Sequence, residues 1–198
     1  MPITSTTSKL CCLALVMVAL GCGTSAPSRF YALSPLVADA EAPFSDVALT
    51  VGPWILPEYL DRPQIVTRSA GAELELAEFH RWAEPLGDSF SRVLAMNLSA
   101  LLDSSQVHEF SLESQQIGDL FVGGRVYRFD VDESGLAVLD VQWTMEDGDR
   151  QLIHGPMRSR YEEQSAKKRS HDACVQALSR TLGHFSRDIA AVARGSSR

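Results

Sequence analysis

The strongest periodic signal in the chain runs from Leu86 to Leu102. There Leu86, Phe90, Val93, Leu94, Leu98, Leu101 and Leu102 recur at spacings of three and four, which places them on one face of an amphipathic helix. Just upstream, residues 78–83 read as extended chain, and Glu84-Pro85 marks the switch. A residue before proline is driven out of helical dihedrals, whereas proline itself suits a helix's first turn. Asp88 then sits at the positive end of the helix dipole. A second stripe of Val175, Leu178, Leu182, Phe185, Ile189 and Val192 predicts a C-terminal helix over residues 170–193.

Elsewhere the period is two. Residues 29–34 read as a first strand, and Val47, Leu49 and Val51 alternate with smaller or polar residues as a second. Residues 64–68 and the segment from Glu73 form a hairpin about Gly71, and residues 106–110 a short strand. Residues 120–131, 136–145 and 151–161 predict a meander whose turns hold Asp132-Glu133-Ser134-Gly135 and Asp147-Gly148-Asp149. Ala137, Leu139, Val141, Trp143 and Met145 line one face of its middle strand. Residues 52–63 carry Pro53, Pro57 and Pro63, a density that argues for a rigid loop rather than a central strand. Two amphipathic helices need an apolar surface to cover. The expectation is an α+β fold, a two-layer arrangement with a largely antiparallel sheet packed against the two helices, in one domain over residues 29–198.

The N-terminus follows neither period. Lys9 precedes an unbroken apolar run over residues 10–20, too short to cross a bilayer as a helix but suited to a secretory signal over residues 1–21. Ala19-Leu20-Gly21-Cys22 resembles a bacterial lipoprotein signal, which implies cleavage before Cys22 and attachment there of diacylglyceryl and palmitoyl groups. The same residues also fit plain secretory cleavage, which would leave Cys22 free. A single acyl chain holds a membrane only marginally, whereas a triacylated cysteine exceeds the threshold for stable anchoring. Gly23 in place of an aspartate suggests the outer membrane, by analogy with enteric sorting. Residues 22–28 comprise the lipidated cysteine and a tether with a reach of about 20 Å, so the domain is expected close to the bilayer.

Charge narrows the partners. The chain of 198 residues has 18 basic and 25 acidic side chains, a net of −7, and loss of Lys9 with the signal makes it −8. Such acidity, without a basic stripe, excludes nucleic-acid binding as a natural reading. Cys11 and Cys12 leave with the signal, so Cys174 is left without a disulfide partner if Cys22 is lipidated.

Reaction chemistry is sparse. Ser165-Ala166-Lys167-Lys168 has the S-x-x-K spacing of some acyl-enzymes but lacks their companion motifs. His171 and Cys174 have helical spacing for two metal ligands, with no second pair to complete a site. Glu78, His80 and Glu84 lack a nucleophile or oxyanion donor beside them, and Lys167-Lys168-Arg169 with Arg158 and Arg160 reads first as a solvated face. No phosphate-binding loop or second long apolar span is present, which argues against a transport ATPase or permease. The expectation is a non-enzyme with no metal and no cofactor beyond the lipid on Cys22.

PQIVTR (63–68), EFHRWAEPL (78–86) and FSRVLAMNLSALL (90–102) together resemble the PqiC-type, or ABC-type transport auxiliary, lipoproteins. The resemblance implies a periplasm-facing accessory subunit of an MCE-type lipid-transport system, with a PqiB-like MCE-domain protein as partner. Trp54, Tyr59, Asp61 and Arg62 are the candidate partner-binding residues, because rigid aromatics lose little entropy at an interface. The competing reading packs this segment back on its own sheet. An alternative function is a lipid-carrying module that holds an acyl chain between sheet and helices. The sequence leaves open whether copies of the chain associate.

Overall fold

The computed structural model describes residues 26–35, 47–69, 71–111 and 118–196. The signal and anchor segment, with Cys22, lies outside them. Eight strands form one sheet: β1 (Arg29–Tyr31), β2 (Leu49–Ile55), β3 (Gln64–Arg68), β4 (Leu74–Trp82), β5 (Val107–Glu109), β6 (Leu120–Asp132), β7 (Leu136–Asp147) and β8 (Leu152–Gln164). A 3₁₀ turn, Glu58–Leu60, lies between β2 and β3. The helices are α1 (Leu86–Leu102) and α2 (His171–Ser196).

β6 is the spine. One side pairs with β7, which pairs in turn with β8, both antiparallel as the turn residues require. The other side is shared end to end. β2 runs parallel to residues 120–125, and β3 runs parallel to Val131 and Asp132. The sheet is therefore forked, with β5 beyond β2 on one branch and β4 and β1 beyond β3 on the other.

The α+β architecture, with both helices against the sheet, is as expected. The longest ladders are antiparallel, but the sheet is mixed, because β1–β4, β2–β5, β2–β6 and β3–β6 all pair in parallel. Those pairings join strands far apart in the chain, which local turn chemistry does not encode.

Residues 52–63 require a correction. The first part is not a loop: β2 continues through Pro53 to Ile55. Its register against β6 shifts between Val51 and Trp54, so the proline, which has no N–H for a ladder bond, falls within the irregularity. Gly52 has φ +113°, a conformation available to glycine at little cost. Only the later part, around the 3₁₀ turn, is irregular.

Both helical stripes are buried where the spacing put them, with Val192 half-covered. Asp103 ends α1 in the left-handed conformation at φ 48°, and Arg194 of α2 donates to the Leu101 carbonyl at 2.8 Å. Between the helices Asn97 Nδ2 donates to Ser186 Oγ at 3.0 Å, a satisfied polar pair inside the core. The layer is filled by aromatics meeting edge to face: Phe90 on Phe129, and Phe185 on Trp54 and Trp143. Phe185 also touches Tyr161 and is fully buried. Phe185→Ala is expected to cost about 3–5 kcal/mol, read as a lower midpoint in urea unfolding, without loss of helical circular dichroism at zero denaturant.

Candidate partner-docking cleft

The expected partner-binding residues divide into two pairs. Trp54 is half-buried, its ring 5.7 Å from Phe90 and 5.4 Å from Phe185 by centroid, so it is part of the core. Tyr59 sits in the 3₁₀ turn between the two branches of the fork. Its hydroxyl donates to Asp130 Oδ2 at 2.8 Å, and Arg68 Nη2 reaches the same oxygen at 3.0 Å. Arg128 Nε donates to Oδ1 at 2.7 Å. Phe129 packs on α1, so strand alternation turns Asp130 to the opposite face. There its side chain is 0% exposed under these three donors. Burial first, and the Asp130 charge second, push the Tyr59 phenol up to about 12.

Asp61 and Arg62 are placed differently. With Pro63 they form one wall of a cleft of about 350 Å³, whose other wall is Trp82, Ala83, Glu84 and Pro85 from the β4–α1 corner. The walls are joined by Trp82 N donating to the Pro63 carbonyl at 2.7 Å. Glu84 is paired with Arg92 of α1, and that bond holds its carboxyl below the usual range. Arg62 Nε is buried and has no acceptor among the described residues. A second hollow of about 210 Å³, lined by Trp54, Leu56, Pro57, Glu58, Leu60, Leu86 and Gly87, shares Asp61. Four prolines, at 53, 57, 63 and 85, stiffen these walls. The cleft thus offers a fixed backbone, an acidic side chain and a guanidinium whose buried Nε lacks an acceptor among the described residues.

The remaining candidates are engaged within the fold. Ser165 Oγ donates to the Lys167 carbonyl at 3.1 Å, so its hydroxyl closes a turn. His171 stacks on His80, with centroids 3.7 Å apart and rings inclined by 14°. Burial and the neighbouring His80 hold His171 below its usual pKa. Tyr31 Oη lies 2.7 Å from His80 Nδ1. Cys174 is buried, which raises its thiol, and no metal-binding cluster occurs among the described residues. Arg158 is bidentate to Asp140 and lies over the Tyr127 ring, while Arg160 bonds Glu162, so these two charges are largely compensated.

Residues 31–190 match the model of the family described as ABC-type transport auxiliary lipoprotein component. The chain belongs to that family. Within this auxiliary lipoprotein family member, both cleft walls come from the stretches 52–68 and 78–86. Among solved structures, protein XCC0632 from Xanthomonas campestris, a DUF330-family protein, aligns at 18% identity over 85% of this chain and 98% of its own, with a TM-score of 0.70. The crystal structure of an uncharacterized protein aligns at 22% identity over 84% and 98%, with a TM-score of 0.67. At such identities the likeness is one of fold. No curated protein matches the chain. Among the described residues, no helix is long and apolar enough to cross a membrane.

Tyr59→Phe removes one hydrogen bond to a charged group and is expected to destabilise the fold by about 1.5–3 kcal/mol near neutral pH. The folded phenol titrates above the unfolded one, so the folded state holds its proton more tightly. Stability from this group is complete below pH 10 and is lost as pH rises from there towards about 12. Urea titrations across that range are expected to show a shallower alkaline fall in Tyr59→Phe. The remaining fall comes from Tyr161, which burial and Asp188 also raise.

Proposed function

We propose that this transport auxiliary lipoprotein is a non-enzymatic accessory subunit of an MCE-type intermembrane lipid-transport system. A lipid on Cys22 fixes it to the periplasmic face of the outer membrane, and the cleft at Asp61 and Arg62 docks a PqiB-like MCE-domain protein. In this role it supports membrane integrity. The observation that carries the reading is the position of the family match. It begins at residue 31, immediately beyond a lipoprotein-type cysteine and a short tether. The non-enzymatic part is supported by Ser165, His80 and Glu84, each engaged with a separate partner.

The geometry favours docking over the carrier alternative. An acyl chain between sheet and helices needs an unfilled apolar space. Here that layer holds Phe90, Phe129, Trp143, Phe185, Leu94 and Leu178, all at most 2% exposed. The cleft is instead open at the surface, with charged side chains on both walls, Asp61 and Arg62 on one and Glu84 on the other.

Two experiments test the reading. Cys22→Ser is expected to release the protein from outer-membrane fractions into the soluble periplasm, and retention after a high-salt wash would refute the anchor. A photocrosslinker at Asp61 in intact envelopes is expected to capture the MCE-domain protein. Arg62→Ala, by removing a charge-assisted donor, should weaken that capture about tenfold. Unchanged capture, together with lipid co-purified by native mass spectrometry from residues 29–198, would favour the carrier.

A further inference from the structure

Exposed large apolar side chains cluster on the first sheet edge. Phe30 is 65% exposed and Phe79 44%. Their exposure follows from strand alternation. Tyr31 turns toward the helices, with its ring 6.3 Å from that of His171 at the start of α2. Phe30 therefore points to the face away from the helices. In β4, Arg81 pairs with Phe30 and shares its face, whereas His80, which pairs with Arg29, and Trp82 share the side of Tyr31; Phe79 precedes His80 where the β3–β4 register shifts, and its ring is exposed there. Phe30 pairs directly with Arg81, which makes Phe79 its diagonal neighbour across the ladder. Arg29 opens the strand, and β1 ends the sheet, with no strand beyond it among the described residues.

The chain itself indicates what covers this corner. Phe30 is the eighth residue after Cys22, so the fully extended connection spans about 28 Å. It is also on the first element that the tether meets, so this corner is the part of the fold nearest the attachment point along the chain. The protein as a whole is acidic at −7 and repelled by anionic headgroups. Arg81, on the face of Phe30, places one cation beside these two side chains.

We propose that Phe30 and Phe79, flanked by Arg81, insert at the headgroup–acyl boundary of the bilayer that holds the anchor. The proposal rests on the lipidated Cys22 reading. Acyl chains on a tether hold the domain near the membrane but leave its orientation free. Two apolar side chains beside a cation fix that orientation, as on interfacial helices. The Ala83 amide donates to the Tyr31 carbonyl at 2.8 Å, so the docking cleft is tied to the inserted strand. Its presentation to the periplasm is then set by the membrane contact.

The test places nitroxide labels on Phe30→Cys, Phe79→Cys and, as a distant control, Met157→Cys. Each is the full mature lipoprotein in vesicles of phosphatidylethanolamine and phosphatidylglycerol. Cys174 is buried and Cys22 is blocked by lipid, so each variant carries one reactive thiol. The expected result is an accessibility ratio, oxygen over aqueous nickel chelate, several-fold higher at positions 30 and 79 than at 157. Equal aqueous ratios, in protein that floats with the vesicles and carries acylated Cys22 by mass spectrometry, overturn the insertion and leave the anchor intact. Spin–spin broadening at positions 30 and 79 assigns the patch to a second copy instead and also overturns it. Failure of acylation and flotation together removes the anchor reading, and this inference with it.

Discussion

A carboxylate hidden from water holds the two branches of the sheet together. β6 lends one side to β2 and, further along, to β3, so the sheet has a fork where neither strand continues. Asp130 lies at that fork. Burying a carboxylate is costly unless charge and hydrogen bonds compensate it. Arg68 supplies compensation from β3, Arg128 from β6 and Tyr59 from the turn that bridges the branches. One ionised group thereby fixes the 3₁₀ turn, and the turn fixes the backbone that leads into Asp61 and Arg62. This wall of the cleft depends on Asp130 although Asp130 does not line it.

The helices contribute from the other side of the sheet. α1 starts where β4 ends, so the Glu84-Pro85 corner belongs at once to the helix start and to the cleft. Glu84 is held by Arg92 two turns into that helix. Core packing around Phe90 and Phe185 positions α1, and α1 in turn positions the far wall. This chain of dependence explains how a surface feature can be rigid without a disulfide. Prolines and a packed helix replace the covalent link.

Much of this was legible in residue order, and the failures share a cause. Both helices, the β3–β4 hairpin and the meander follow from local periodicity, because amphipathic spacing and turn residues act over a few positions. The parallel joins do not. Nothing near Leu49 announces Leu120 as its neighbour, and proline density around Pro53 concealed a strand that tolerates the residue at a register shift. The cleft was missed as a meeting place although one wall lies in, and the other directly adjoins, stretches that carry the family resemblance. Trp54 and Tyr59 share a segment with Asp61 and Arg62 but not a position: Trp54 packs on Phe185 and Tyr59 bonds Asp130, while Asp61 and Arg62 line the cleft. Composition could not separate an aromatic packed on Phe185 from one facing solvent. Alternation around Phe129 held the clue to a buried Asp130, but its arginine and tyrosine partners are remote in sequence.

The walls of the cleft are contributed by residues about twenty positions apart and are brought together by the bond from Trp82 to Pro63 and the β3–β4 ladder beside it. An unfolded chain has no such surface to offer. Anything that occupies it therefore binds the native state alone, and mass action makes occupancy and folding a single linked equilibrium. Protein occupied there would resist heat more than free protein, and the empty form would be the one most readily unfolded and cleared.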